Sequence, residues 1–159
     1  MGILNYINNY LYSLSEKKYI VVMLLLSYII YIPLIPFFQN YDIGGTQFLI
    51  NASFIGKLIN GSLIIPFIET FIFQYLAIGI IRSIKKIKDN NCLIIIISAI
   101  AFSLSHYYNV LYIFYSLIMG IFLAYTYILY EKKKYHPFLM VMAIHALRNT
   151  ITTFILTFL

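Results

Sequence analysis

The sequence has little charge for its length. Only 10% of its 159 residues are Asp, Glu, Lys or Arg, and 62% are hydrophobic, whereas about 25% of an average soluble domain is charged. A soluble protein of this size cannot hide so much apolar surface, because a small chain leaves a large share of its area in contact with water. The composition therefore excludes an ordinary soluble domain and predicts a single transmembrane domain over residues 1–159.

Tryptophan is absent, and cysteine occurs once, at Cys92. A single cysteine excludes an intrachain disulfide and leaves the redox compartment open. Tyrosine, which shares the membrane–water interface with tryptophan in most membrane proteins, occurs 16 times. We therefore expect tyrosine alone to anchor the chain at the edges of the bilayer.

Acidic residues are also scarce, so the net charge is +6. The basic residues lie in three short clusters between apolar runs, at residues 17–18, 82–88 and 132–134. This pattern is typical of membrane-flanking charge and not of a nucleic-acid surface, so no nucleic-acid partner is expected. Because Lys and Arg are enriched on the cytoplasmic side, the clusters predict a multi-pass protein of the cell membrane with its N-terminus in the cytoplasm.

The apolar runs predict an all-α, polytopic membrane helix bundle with about five transmembrane helices. The predicted spans are residues 19–38, 61–81, 92–106, 110–130 and 138–159. The third is short, since a spanning helix needs about 20 residues, and the brief link at Asn109 predicts that it forms an antiparallel hairpin with the fourth. Residues 3–14 and 46–60, the latter capped by Thr46, predict one or two interfacial helices.

Five polar side chains interrupt the apolar spans: Glu69, His106, His145, Arg148 and Asn149. Polar groups within the bilayer are expensive unless they are paired or solvated, so each is a candidate functional residue. His145 and Asn149 are four residues apart and therefore share one helix face. Arg148 lies too deep to remain isolated, and we expect it to pair with Glu69 or to reach a polar cavity.

These residue types allow several kinds of chemistry. A lone buried Glu, His or Asn often only holds helices together, but four on three helices favour a site. A Glu and a His can hold and deprotonate a water molecule, and His and Asn donors can stabilise an oxyanion, as peptide hydrolysis requires. Two His and a Glu could equally bind zinc, although the His-Glu-x-x-His signature is absent. A serine mechanism is disfavoured, because no Gly-x-Ser-x-Gly elbow is present.

Three segments resemble, in order and spacing, the motifs of the CPBP family of intramembrane proteases, which includes CAAX proteases and bacteriocin-processing enzymes. The segment PFIETFIFQ, which contains Glu69 and Phe73, is similar to the first motif, Glu-Glu-x-x-x-Arg. The segment FSLSH, from Phe102 to His106, matches Phe-x-x-x-His. The segment HALRN, which starts at His145, matches His-x-x-x-Asn. The resemblance covers about residues 61–153.

The resemblance implies an intramembrane endopeptidase of the glutamic type, acting on a membrane-associated peptide or protein in the lipid bilayer. Glu69 and His106 would activate water, and His145 and Asn149 would stabilise the oxyanion. No metal ion or other cofactor is implied. A further set would support the site or bind substrate: Phe73, Thr70, Gln74, Phe102 and Arg148.

The first motif departs from the family pattern at two positions. Thr70 replaces the second Glu, and Gln74 replaces the Arg. In the family these residues stand four apart on one helix and can form an ion pair. Because losing one partner strands the other charge, we interpret the joint replacement as a neutral pair that can still form a hydrogen bond.

A second function remains open on the same residues. The chain could be a non-catalytic membrane protein of the same fold that binds a peptide or partner, such as a bacteriocin self-immunity protein. The altered first motif favours this alternative, and the intact set of Glu69, His106, His145 and Asn149 favours the protease. A small transporter is disfavoured, since no inverted repeat is present. The sequence does not indicate an oligomeric state.

Overall fold

The computed structural model describes residues 2–34, 36, 49 and 51–158, and the regular structure in them is helical. The main helices are α1 (Ile3–Ser13), α2 (Glu16–Tyr31), α3 (Phe54–Ser83), α4 (Asn91–Leu104), α5 (Val110–Lys132) and α6 (Pro137–Phe158). The predicted all-α membrane bundle is confirmed.

Four helical segments are long and apolar enough to cross a bilayer. In the described part of the chain they are Glu16–Leu34, Phe54–Ser83, Val110–Lys132 and Pro137–Phe158. Helix α4 has only 14 residues, which is about 21 Å at 1.5 Å per residue, whereas the hydrocarbon core is about 30 Å thick. The five predicted spans are therefore four full-length helices and one short apolar helix.

Helix α2 passes into a 3₁₀ turn at Ile32–Leu34, where Pro33 lacks the backbone donor that an α-helix requires. The predicted end of the first span, residue 38, lies outside the described residues. The separate interfacial helix predicted for residues 46–60 is wrong over its described part, because α3 begins at Phe54 and continues without a break through Gly61. Thr46, the predicted cap, lies outside the described residues.

Helix α3 contains two π-helical segments, Lys57–Ile64 and Thr70–Leu76. At their ends the backbone N–H of Ile65 donates to Asn60 and that of Ala77 donates to Ile72, five residues earlier. Such wide turns are frequent at functional sites because they change which side chains share a face. The two segments flank the short α-helical stretch that ends at Glu69.

The three basic clusters lie at one end of the bundle. Lys133, after α5, donates a hydrogen bond of 2.9 Å to the carbonyl of Leu14, which precedes α2. Arg82, near the end of α3, forms an ion pair with Glu131, near the end of α5. Because these contacts join all three segments, the clusters approach the same face of the membrane.

Helices α4 and α5 form the predicted hairpin and pack closely. Asn109 begins α5, and its side chain accepts a hydrogen bond of 2.7 Å from the backbone N–H of Tyr112. Gly120 faces Ala99 so closely that an added Cβ would lie 2.9 Å from the Ala99 Cα atom. The hairpin therefore brings the end of α4, with the neighbouring His106, against α5.

Candidate active site

Both oxygens of the Glu69 carboxylate face a histidine. Oε1 lies 3.4 Å from Nε2 of His106, and Oε2 lies 3.5 Å from Nε2 of His145. The exposed fractions of the three side chains are 19%, 12% and 7% in the order Glu69, His106, His145. Three separate segments, α3, the turn after α4, and α6, thus place one carboxylate between two imidazoles.

The backbone of its own segment orients the ring of His106. Nδ1 donates a hydrogen bond of 2.8 Å to the carbonyl oxygen of Phe102. A carbonyl oxygen can only accept, so Nδ1 carries a proton, and in the neutral imidazole Nε2 then presents its lone pair to Glu69. Two acceptors that face each other at 3.4 Å are stabilised by a shared proton or by a water molecule that donates to both.

Asn149 lies one helical turn beyond His145, on the same face of α6. Its Nδ2 donates a hydrogen bond of 2.8 Å to the backbone carbonyl of Gly61, which ties α6 to α3. An amide nitrogen has two hydrogens, so one N–H is used by Gly61 and the other can serve a ligand. The expected oxyanion role of Asn149 stays a prediction.

Two of the predicted supporting residues form the aromatic wall of the site. The ring of Phe102 lies 4.5 Å from that of His106 and 5.9 Å from that of His145, between centroids. Phe73 packs edge-on behind it at 5.6 Å, and the carbonyl of Phe73 accepts a hydrogen bond of 2.7 Å from buried Ser98. Phe102 therefore packs against both imidazoles of the site.

The four predicted catalytic residues converge on one cavity of about 370 Å³. Its lining includes Glu69, His106, His145 and Asn149, and Arg148 also borders it. Of the two alternatives for Arg148, the structure gives the polar cavity. No ion pair joins it to Glu69 or to another described carboxylate.

Thr70 and Gln74 do not form the expected hydrogen-bonded pair. Both side chains are completely buried, and among the described residues neither the Thr70 hydroxyl nor either polar atom of Gln74 has a hydrogen-bond partner. This part of the prediction is wrong. The spacing of four residues brings side chains together on an α-helix, but these two lie in the π-helical segment of α3, where the turn is wider.

Gln74→Met is expected to leave the free energy of unfolding unchanged or to raise it. A buried amide without a partner costs about 1–3 kcal/mol in lost hydration, and methionine fills a similar volume without that loss. Unfolding by SDS in mixed micelles measures the difference.

Thr126→Val is the matched control, because the Thr126 hydroxyl is buried but satisfied. It contacts the Tyr19 hydroxyl at 3.0 Å and donates to the Phe122 carbonyl at 2.8 Å. This change should lower the free energy of unfolding by about 1 kcal/mol. An equal loss in Gln74→Met would show that the amide has a partner in the folded protein.

Sequence reasoning missed the tyrosines that surround the site. Tyr28 on α2 donates a hydrogen bond of 3.0 Å to the carbonyl of Arg148. Tyr112 and Tyr115 on α5 border the cavity, and the Tyr112 ring lies 5.7 Å from that of His106. The sequence contains a signal for these tyrosines, because Tyr28 and Tyr31 share one face of a predicted span. The prediction that tyrosines anchor the chain at the membrane interface does not use it.

Within the part of the chain that the structure describes, no group of three or more His, Cys, Asp or Glu side chains is arranged to hold a metal ion.

Comparison with known proteins gives one family. The family model described as type II CAAX prenyl endopeptidase, Rce1-like, matches residues 51–151. No curated protein and no solved structure matches the chain. The matched residues contain every member of the predicted catalytic set.

Proposed function

The chain belongs to the Rce1-like type II CAAX prenyl endopeptidase family, and on that premise we propose that it is a catalytically active intramembrane endopeptidase. Its substrate is a membrane-associated peptide or protein, cut at a bond close to the membrane. The observation that carries the proposal is the Glu69 carboxylate with a histidine Nε2 at 3.4 Å and 3.5 Å from its two oxygens.

In the proposed reaction, a water molecule binds between Glu69 and His106 and loses a proton to the carboxylate as it attacks the peptide carbonyl carbon. Negative charge then develops on the carbonyl oxygen. The free N–H of Asn149 and the imidazole of His145 stabilise that charge. The C–N bond breaks as the proton held by Glu69 passes to the leaving amine nitrogen.

The non-catalytic alternative depends on the altered first motif. Among the described residues that border the cavity, Thr70 and Gln74 are not found. The two replaced side chains therefore lie outside the cavity lining, and we do not propose the alternative on their account.

Hydrolysis should proceed with no metal added and should persist in a chelator. The purified chain, reconstituted in lipid with an internally quenched, membrane-anchored peptide, should release products with a new N-terminus that mass spectrometry detects. We expect the same rate with and without EDTA, because Glu69 and His106 can activate water together. Loss of activity in EDTA that zinc restores would replace this mechanism with a metal-assisted one.

We also propose that the N-terminus lies in the cytoplasm, because the three basic clusters share one end of the bundle. In a Cys92→Ala background, single cysteines at Lys86 and Lys133 should resist an impermeant maleimide added to intact cells and should react after lysis. A cysteine at Lys57 serves as the matched control and should be labelled from outside. Labelling of the cysteine at position 86 in intact cells would show that the N-terminus lies outside the cell.

A further inference from the structure

Arg148 is the charged residue of the site that the proposed reaction does not use. Its side chain is buried, with 6% of the residue exposed, and it borders the same cavity as Glu69. No described carboxylate lies within 4.0 Å of it. A buried cation without a counter-ion is costly, so the fold must stabilise it in another way.

Tyrosines supply that stabilisation. The guanidinium carbon lies 5.0, 5.5 and 5.2 Å from the ring centroids of Tyr28, Tyr31 and Tyr115, within the range of cation–π attraction. Nη1 of Arg148 donates to Thr152 Oγ1 at 3.3 Å. Thr152 and the carbonyl of Arg148 both contact the Tyr28 hydroxyl at 3.0 Å. We call Tyr28, Tyr31 and Tyr115 the tyrosine box.

The box holds the guanidinium in place but does not neutralise it. Aromatic rings attract the guanidinium but do not cancel its positive charge. Among the described residues, Nε of Arg148 also has no hydrogen-bond partner. A guanidinium is a planar set of donors that matches a carboxylate, and such a pair is among the strongest polar contacts in proteins. A carboxylate that entered the cavity, which Arg148 borders, would supply the missing counter-charge.

We propose that Arg148 is the carboxylate-binding subsite of this protein, placed to hold the bound peptide in the cavity that Glu69 also borders. The assignment rests on the proposed function for its substrate, a peptide, but the binding itself requires no catalysis. Two sources offer the same chemistry: the C-terminal carboxylate of the peptide, and an Asp or Glu side chain within it.

Direct binding can be observed because the chain has only two arginines, Arg82 and Arg148. In protein labelled with ¹⁵N-arginine and held in detergent micelles, Arg82→Lys assigns the two Nε–H signals. Hexanoate should shift the Arg148 signal and leave the Arg82 signal in place, whereas hexanamide, of similar shape without the charge, should shift neither. An Arg148 signal that does not respond to hexanoate overturns the proposal.

Peptide binding to the Glu69→Gln protein then separates the two sources. Fluorescence anisotropy measures the affinity for one membrane-anchored peptide in two matched pairs. The first pair has a free or an amidated C-terminus, and the second has Asp or Asn at an internal position. One carboxylate should raise the affinity about tenfold to a hundredfold, as expected for a charge-assisted pair. Arg148→Met should abolish that preference, and Arg148→Lys should keep part of it.

The outcomes distinguish this inference from the proposed function. If carboxylate peptides bind with the Arg148 preference but no hydrolysis is found in wild-type protein, the subsite stands and the protease proposal fails. If hydrolysis is found but neither carboxylate changes affinity, the protease stands and the subsite fails. If Arg148→Met weakens acidic and neutral peptides equally, Arg148 has only a structural role, and the inference is wrong.

Discussion

Glu69→Gln should reduce hydrolysis by about a hundredfold to ten-thousandfold, the range that general acid–base groups contribute. Glutamine keeps the shape of the side chain but cannot take a proton from water. Both histidines would still face the new amide, so the fold should survive. Product release from the quenched peptide in lipid measures the loss, and SDS unfolding checks the fold.

Glu131→Gln is the matched control for that experiment. It makes the same chemical change at a carboxylate that pairs with Arg82 near the basic end of the bundle, away from the cavity lining. Because such a partly exposed pair contributes little stability, activity should stay near the wild-type level. Equal rates of hydrolysis for Glu69→Gln and wild type would remove Glu69 from the mechanism.

Gly120→Ala should lower the free energy of unfolding by about 1–3 kcal/mol, the usual cost of overpacking. The added methyl would lie 2.9 Å from the Cα atom of Ala99 and 3.1 Å from its carbonyl oxygen. Both are backbone atoms of α4 and cannot move without the helix. The shift of α4 should also displace His106 relative to Glu69, so activity should fall together with stability.

Gly79→Ala tests whether the effect comes from the contact. Gly79 also lies within a helix, but a Cβ added there would meet no atom within 4 Å. The change should be neutral or should raise the free energy of unfolding by up to about 1 kcal/mol, since alanine favours helix more than glycine does. Similar losses at Gly79 and Gly120 would mean that helix packing at Ala99 is not the cause.

The membrane bundle and the members of the site could be predicted because both depend on local sequence. Apolar runs require helices when no water is available to the backbone. Glu69, His106 and His145 stand out because polar residues are rare in such runs. The order of the motifs placed them on separate segments, and the structure brings them together.

The remaining features depend on geometry that no local pattern records. The apolar pattern predicts that a span starts at Gly61, yet the helix continues through this residue because it lies within a π-helical segment. The contact between Tyr28 and Arg148 joins positions 120 residues apart, and periodicity within one helix cannot indicate which helix it will face. The predicted pairing of Thr70 with Gln74 failed for a related reason, since it assumed regular α-helical spacing.

The shortness of α4 has a consequence for the bilayer around the protein. His106 lies just beyond the last turn of a helix of 14 residues, which is about 21 Å long at 1.5 Å per residue, less than the thickness of the hydrocarbon core. We expect the bilayer beside α4 to become thinner, which is one of the responses to a helix that is too short. The same short helix that places His106 against Glu69 thereby offers water a shorter route into a compartment that otherwise excludes it.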